Sequence, residues 1–408
     1  MGMKRSGNKI EESTGPVSRF RVMLMAATAG IAVANLYYNQ PILKEIGETF
    51  HTTEGKAGMI SMLSQIGYGL GLFFITPLGD KMNKKRLVIT LQTLLFGTIL
   101  LMAFSQNILQ VWMLSLFIGI FSVSAQVIMP MAAGLDSDNR GKNVGSIFTG
   151  VLIGILAARV FSGSVAEWLG WRYVYLFSAT ALLLVTFLLR IYLPDVRNPF
   201  SGNYVQLLKS ALSQVNRFPL LRSTSLIGAL QFGLFCSFWT TLTFHLSGPP
   251  YYFHTDTIGL FGLVAIAGAS FAPFLGKKTD RGISGQIRLM AISLITGSII
   301  LMMVLSKSTA ALIIGVLMLD IGVQSLQITN VALIYSLDDT SHSRINTIFM
   351  TTVFIGGALG TLAGIFCWKY WGWAGVTGHM LVSAFLILFI MIRKEMSFSS
   401  WFYIRPSS

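Results

Sequence analysis

Asp320 is the residue in this chain best placed to do chemistry. Of 16 acidic residues, it alone sits deep within a long apolar run, at residues 310–335. Placing a carboxylate at such depth in a bilayer costs from about 3 kcal/mol, so it needs a partner, a proton or a wet cavity. A carboxyl group in those surroundings can exchange a proton in the range a proton carrier requires. A structural hydrogen bond between helices is its other use. Gln324 and Gln327 follow at i+4 and i+7. On a 3.6-residue helix they lie within about 60° of Asp320 and extend one polar stripe.

Arg159 is the matching cation, the basic residue left inside an apolar run. Its guanidinium does not give up its proton, so it must pair, face water or reach toward lipid headgroups. Asp320 is the deep carboxylate available to it, and a proton or a solute could compete for such a pair. Asn35, Tyr38 and Asn39 stand at i, i+3 and i+4 just before Pro41. They can hydrogen-bond a solute and offer it an aromatic ring, or they can form an interfacial aromatic belt. Gln65 and Gln231 are further polar residues in apolar runs, suited to a cavity wall or to interhelical hydrogen bonds. Gly150, Gly154, Ala158 and Ser162 form a small-residue stripe at spacing four, which lets helix backbones approach closely.

Other chemistries find no support. There is no G-x-x-x-x-G-K-[ST] phosphate loop, which argues against ATP-driven transport. His51, His245, His254, His342 and His379 lack metal-ligand spacing. No nucleophile and base share one depth. An enzyme, a cofactor and a bound metal are therefore not expected. Cys236 and Cys367 both fall in apolar runs, so a disulfide framework is not expected either.

The elements that must position these residues are twelve apolar runs, near 21–43, 57–78, 87–105, 108–131, 144–166, 172–192, 223–246, 257–275, 286–306, 310–335, 346–367 and 373–392. A bilayer is crossed by about 20 apolar residues in a helix. With 11% charged residues and a mean hydropathy of +0.67, no soluble core could use this much apolar surface. The expected fold is an all-α membrane protein of 12 transmembrane helices, its first run a retained helix and not a cleaved signal. The net charge of +14 resolves into topology. Most of the 30 Lys and Arg residues fall in the terminal segments and alternate loops, while the opposite side has Lys44, Lys56, Arg172, Lys307 and Lys369. The positive-inside rule places both termini in the cytoplasm and makes a nucleic-acid partner unnecessary.

The expected organisation is a segment 1–20, a six-helix bundle 21–192, a central cytoplasmic loop 193–222, a second six-helix bundle 223–392 and a tail 393–408. Within the central loop, Tyr204 to Val215 can form a short amphipathic helix. The halves echo each other at an offset of about 200 residues. Asp80 with Lys81 matches Asp280 with Arg281, Gly170-Trp171 matches Gly372-Trp373, and Arg140 matches Arg344.

These residues carry a resemblance. Asn35-Leu36-Tyr37-Tyr38-Asn39-Gln40-Pro41, Pro77-Leu78-Gly79-Asp80-Lys81, Gly154-Ile155-Leu156-Ala157-Ala158-Arg159 with Ser162-Gly163, Asp320-Ile321-Gly322-Val323-Gln324 and Ser343-Arg344-Ile345-Asn346-Thr347 resemble the major facilitator superfamily, most closely its bacterial drug/proton antiporter-type branch. The resemblance implies two pseudo-symmetric six-helix bundles with a binding site between them near the midplane. It also implies alternating access in a bacterial inner membrane, with a small-molecule substrate and protons as partners; a monomer is expected. Asp80 with Arg86, Arg140, Asp280 with Arg281, and Arg344 become latches of an inner gate. Asp320 and Arg159 become the proton-coupling residues, and Asn35, Tyr38, Asn39, Gln65, Gln231, Gln324 and Gln327 the substrate-binding ones. Span five, with its small-residue stripe, is expected at the sliding interface between halves. Thr76 and Asn83 replace glycines common in the superfamily's loop, and Ser115 stands where many antiporters have a coupling arginine. The expected function is proton-coupled efflux of a small organic solute; proton-driven uptake and a non-transporting, sensor-like relative are the alternatives.

Overall fold

In hydrocarbon every backbone N–H and C=O must be satisfied within its own segment, so long apolar runs become helices. The computed structural model describes residues 18–135, 139–195, 203–269, 284–338 and 341–402, and among them there is no strand. The first half contains α1 (Arg19–Ala34), α2 (Asn39–Thr49), α3 (Glu54–Phe74), α4 (Leu78–Lys81), α5 (Lys84–Ala103), α6 (Ile108–Phe121), α7 (Ser124–Leu135), α8 (Arg140–Leu169) and α9 (Trp171–Tyr192). After α10 (Tyr204–Arg217) the second half contains α11 (Pro219–Ser247), α12 (Thr255–Ala269), α13 (Ser284–Val304), α14 (Thr309–Tyr335) and α15 (His342–Phe402). Ten helical segments of the described residues are long and apolar enough to cross a bilayer. One of them, His342–Arg393, holds the last two expected spans. The eighth expected span begins in the shorter apolar helix Thr255–Ala265.

Local chemistry explains the ends and breaks. Asn83, in place of a common glycine, caps α5 by accepting a hydrogen bond from the Arg86 N–H at 3.2 Å. Gly170 (φ 94°) and Gly372 (φ 57°) occupy the left-handed region at equivalent turns, one between α8 and α9, the other between the two arms of α15. The Gly-Trp repeat in the sequence is therefore a repeated turn. The first expected span is not one continuous helix. Pro41 has no N–H to give the Tyr37 carbonyl, which instead accepts from Gln40 at 3.2 Å, and residues 35–38 form tight turns between α1 and α2. Asn35 and Asn39 therefore do not share an unbroken helical face. At the other end, α15 continues to Phe402, so the segment expected as a tail from 393 begins as helix.

Close glycine contacts repeat in the two halves. A Cβ on Gly30 of α1 would lie 2.4 Å from the Gly150 carbonyl oxygen of α8, and one on Gly360 of α15 would lie 2.2 Å from the Gly233 carbonyl oxygen of α11. Gly154 and Gly356 complete the two matching crossings. The small-residue stripe of α8 packs Gly150 and Gly154 on α1 within its own half, while the same helix also lies against the other half, as expected for span five. The contact across halves is made one step around the helix, by Leu156, Arg159 and Gly163 against α12. A second seam joins α3 to α15.

The expected amphipathic segment is α10. Its Ala211 packs with Leu221, Ile334, Ile345 and Phe349 at the Lys/Arg-rich end of the molecule. Ser210 accepts a hydrogen bond from Arg344 Nη1 at 2.7 Å, and the Tyr204 hydroxyl donates to the Phe74 carbonyl. The linker therefore touches both halves.

Candidate functional site

Arg159 is carried by α8 at the point where that helix meets α12 across the seam. A Cβ on Gly259 would lie 2.7 Å from the Arg159 carbonyl oxygen, so glycine permits the approach. The side chain is 1% exposed and does not snorkel. Its Nε donates to Gln40 Oε1 at 2.8 Å. Its Cζ lies 3.9 Å from the ring centroid of Trp239 on α11 and 5.4 Å from that of Tyr37. A desolvated cation over aromatic faces gains about 2 kcal/mol or more. Nη2 has no hydrogen-bond partner.

Asp320 faces it from α14, 2% exposed, with Oδ2 likewise unpartnered. The two charges interact electrostatically across the halves. Yet none of the ion pairs formed by the described residues joins them. The direct pair weighed from the sequence is absent, and a charged couple stands apart in its place. Trp239 Nε1, Ser237 Oγ and Thr240 Oγ1 on α11 are also buried without hydrogen-bond partners. Cys236 on the same helix interacts with Arg159.

The expected substrate-binding residues divide by what they already touch. Asn35 donates to the Ile31 carbonyl and accepts from Ser178 at 2.9 Å. Asn39 donates to the Leu36 carbonyl and accepts from Ser61. Gln231 donates to the Val323 carbonyl at 2.7 Å and accepts from Asn330 at 3.2 Å, a brace between α11 and α14. Gln65 accepts from Thr361 at 2.9 Å across the α3–α15 seam. Tyr38 is buried against Phe161, with ring centroids 5.7 Å apart. Gln324 and Gln327 are half-buried on α14, on the same stripe as Asp320. The sequence reading missed Gln40, Tyr37 and Trp239 as neighbours of Arg159. Gln40 and Tyr37 were legible as part of the Asn35–Pro41 stretch, but Trp239 carried no distinguishing signal among the aromatic residues of its run.

The residues expected as latches lie, where described, at the Lys/Arg-rich face. Asp80 interacts electrostatically with Lys84 and, across the halves, with Arg344. Arg86 is exposed in the first turn of α5. The Arg140 side chain, Asp280 and Arg281 lie outside the described residues. An ion pair not foreseen joins Arg217 of α10 to Asp338 at 2.8 Å. The opposite face joins the halves by direct contacts. Lys44 Nζ donates to the Ser247 carbonyl at 3.2 Å, Thr243 to the Gln40 carbonyl at 2.7 Å, and Trp368 Nε1 to Glu54 at 2.7 Å. Glu167 accepts from the Thr255 N–H at 3.0 Å and pairs with His254 at 3.1 Å.

Comparison with known proteins bears on the family and the fold. The sequence profile of the Major Facilitator Superfamily matches residues 23–361. The chain is 38% identical over 356 residues to the uncharacterized transporter YgaY of Escherichia coli O157:H7, covering 87% of this chain and 90% of that protein. It is 28% identical over 378 residues to the probable transporter SCO4007 of Streptomyces coelicolor, covering 92% and 87%. Among solved structures, a bacterial homolog of the human lysosomal transporter Spinster, in an inward-facing and occupied conformation, superposes with a TM-score of 0.74. That match has 13% identity and covers 97% of this chain and all of that one, so it speaks for the fold.

Proposed function

From the premise that this chain belongs to the Major Facilitator Superfamily, and so is a membrane transporter and not an enzyme, we propose that it exchanges protons for a small organic solute by alternating access. In this reading Asp320 carries the exchanged proton and Arg159 is its fixed counter-charge. One observation carries the proposal: opposite charges buried from different halves, electrostatically coupled but not paired, each with an unpartnered polar atom. A stable core closes such a couple into a hydrogen-bonded pair or replaces it with apolar residues. An open couple leaves each charge a partner to gain in a second state or from a solute.

The direct contacts on the face opposite the Lys/Arg clusters support a conformation closed at that face. Alternating access then requires those contacts to break while Asp80 and Arg344 draw together. Export is the favoured direction, with a bacterial inner membrane as the location and the Lys/Arg-rich face in the cytoplasm, because the sequence resembles the drug/proton antiporter branch and its basic residues follow the positive-inside pattern.

The test is proton movement in proteoliposomes, with wild type and Asp320→Asn screened against small organic solutes. Solute-dependent proton flux in wild type should fall by about a hundredfold in a variant that still folds, as expected when the group exchanging the proton is removed. Equal flux in both proteins would remove Asp320 from the coupling.

A further inference from the structure

Resting on the transporter reading, we infer that the solute is zwitterionic: it carries an anionic oxygen group together with a protonated amine. The unpartnered atoms of the central cluster are not randomly signed. Arg159 Nη2 and Trp239 Nε1 are donors, adjacent because the guanidinium stacks on the indole at 3.9 Å. Asp320 Oδ2 is an acceptor on the facing half. All three residues are at least nine-tenths buried, at 1%, 3% and 2% exposure. Ser237 and Thr240, with unpartnered hydroxyls on the helix of Trp239, can donate or accept.

Charge matching selects the class. Once Asp320 has released its proton, the site presents one cation and one anion and is neutral, so a neutral dipolar solute satisfies both ends. A lipophilic cation would meet Asp320 and leave Arg159 unpaired. A monoanion would meet Arg159 and leave Asp320 unpaired, and a dianion would also repel it. Leaving a buried polar group without its partner is what makes a site reject a near-analogue strongly. The rings of Tyr37 and Trp239 flank the cation, so an apolar or aromatic body attached to the zwitterion has a surface to lie on. Exchange follows from the same contacts, since an ammonium arriving at Asp320 competes with the proton held there.

The experiment measures binding to the purified full-length chain in nanodiscs, using apolar and aromatic amino acids, their methyl esters, their N-acetyl derivatives, a lipophilic cation and a dicarboxylate. The zwitterions should bind at least about tenfold more tightly than either blocked form. Arg159→Gln should bring the free acid and its methyl ester within about twofold of each other. Asp320→Asn should do the same for the amine and its N-acetyl derivative. Trp239→Phe keeps the ring and removes one donor, so it should reduce preference over the ester by a few-fold even if Arg159→Gln does not fold. Tighter binding of the lipophilic cation or the dicarboxylate than of every zwitterion would overturn the substrate class. Transport of that compound with proton flux would show that the transporter reading survives. Absence of solute-dependent flux with every compound in proteoliposomes would overturn both.

Discussion

Two regions of this molecule treat polar groups in opposite ways. Near the face opposite the Lys/Arg clusters, polar side chains that meet across the halves are bonded: Lys44 to Ser247, Thr243 to Gln40, Glu54 to Trp368 and Glu167 to Thr255. At the centre, Arg159, Trp239, Asp320, Ser237 and Thr240 keep polar atoms without partners. Buried polar groups are normally satisfied, and each exception calls for an explanation. In the proposed reading, the contrast separates the contacts that hold one conformation together from the groups left for a solute.

The largest effect should come from breaking the centre. Asp320→Asn keeps shape and removes the exchangeable proton, with the hundredfold loss of coupled flux given above and little change in melting temperature. Next comes the closed face. Valine at Gly163 would place a Cβ 2.7 Å from the Thr255 carbonyl oxygen and 3.0 Å from the Gly259 Cα, where backbone cannot yield. Gly163→Val should slow transport about tenfold and raise thiol labelling of a Ser247→Cys probe in a cysteine-free background, because a clash against one state shifts the population to the other. Unchanged labelling would mean that this contact does not govern closure.

The satisfied residues should answer in stability, not in coupling. Gln231→Leu strands Asn330, whose Nδ2 donates to it, and frees the Val323 carbonyl. A cost of about 1–3 kcal/mol is expected, seen as a lower melting temperature with the proton-to-solute ratio unchanged. A changed ratio would move Gln231 into the binding site. The smallest effect belongs to the long-range couple at the Lys/Arg-rich face. Asp80→Asn or Arg344→Gln should each slow turnover a few-fold, and the charge swap Asp80→Arg with Arg344→Asp should recover part of the loss. Additive losses would show that the two residues act independently.

Much of the fold was legible because hydrocarbon leaves few options. Apolar runs foretold an all-helical membrane fold, and the repeated Gly-Trp pair marked a turn that recurs at Gly170 and Gly372. The break at residues 35–38 was written in Pro41, but an apolar run read by length alone conceals it. Asp320 and Arg159 stood out because lone charges in apolar runs are costly and rare. What surrounds them was less legible, since an amide in a span reads alike whether it braces two helices, as Gln231 does, or clasps a cation, as Gln40 does. The stripe of α8 shows the same ambiguity: the spacing of Gly150 and Gly154 says that a backbone comes close, but not which one.

Proton exchange at the centre is read most directly from the protonation of Asp320 itself, by infrared difference spectroscopy as solute is added to the protein in nanodiscs. A protonated-carboxyl band is expected in wild type, disappearing when a transported solute binds and missing from Asp320→Asn. A band that persists unchanged at saturating solute, or that survives in Asp320→Asn, would contradict the claim that this carboxyl trades its proton for the solute.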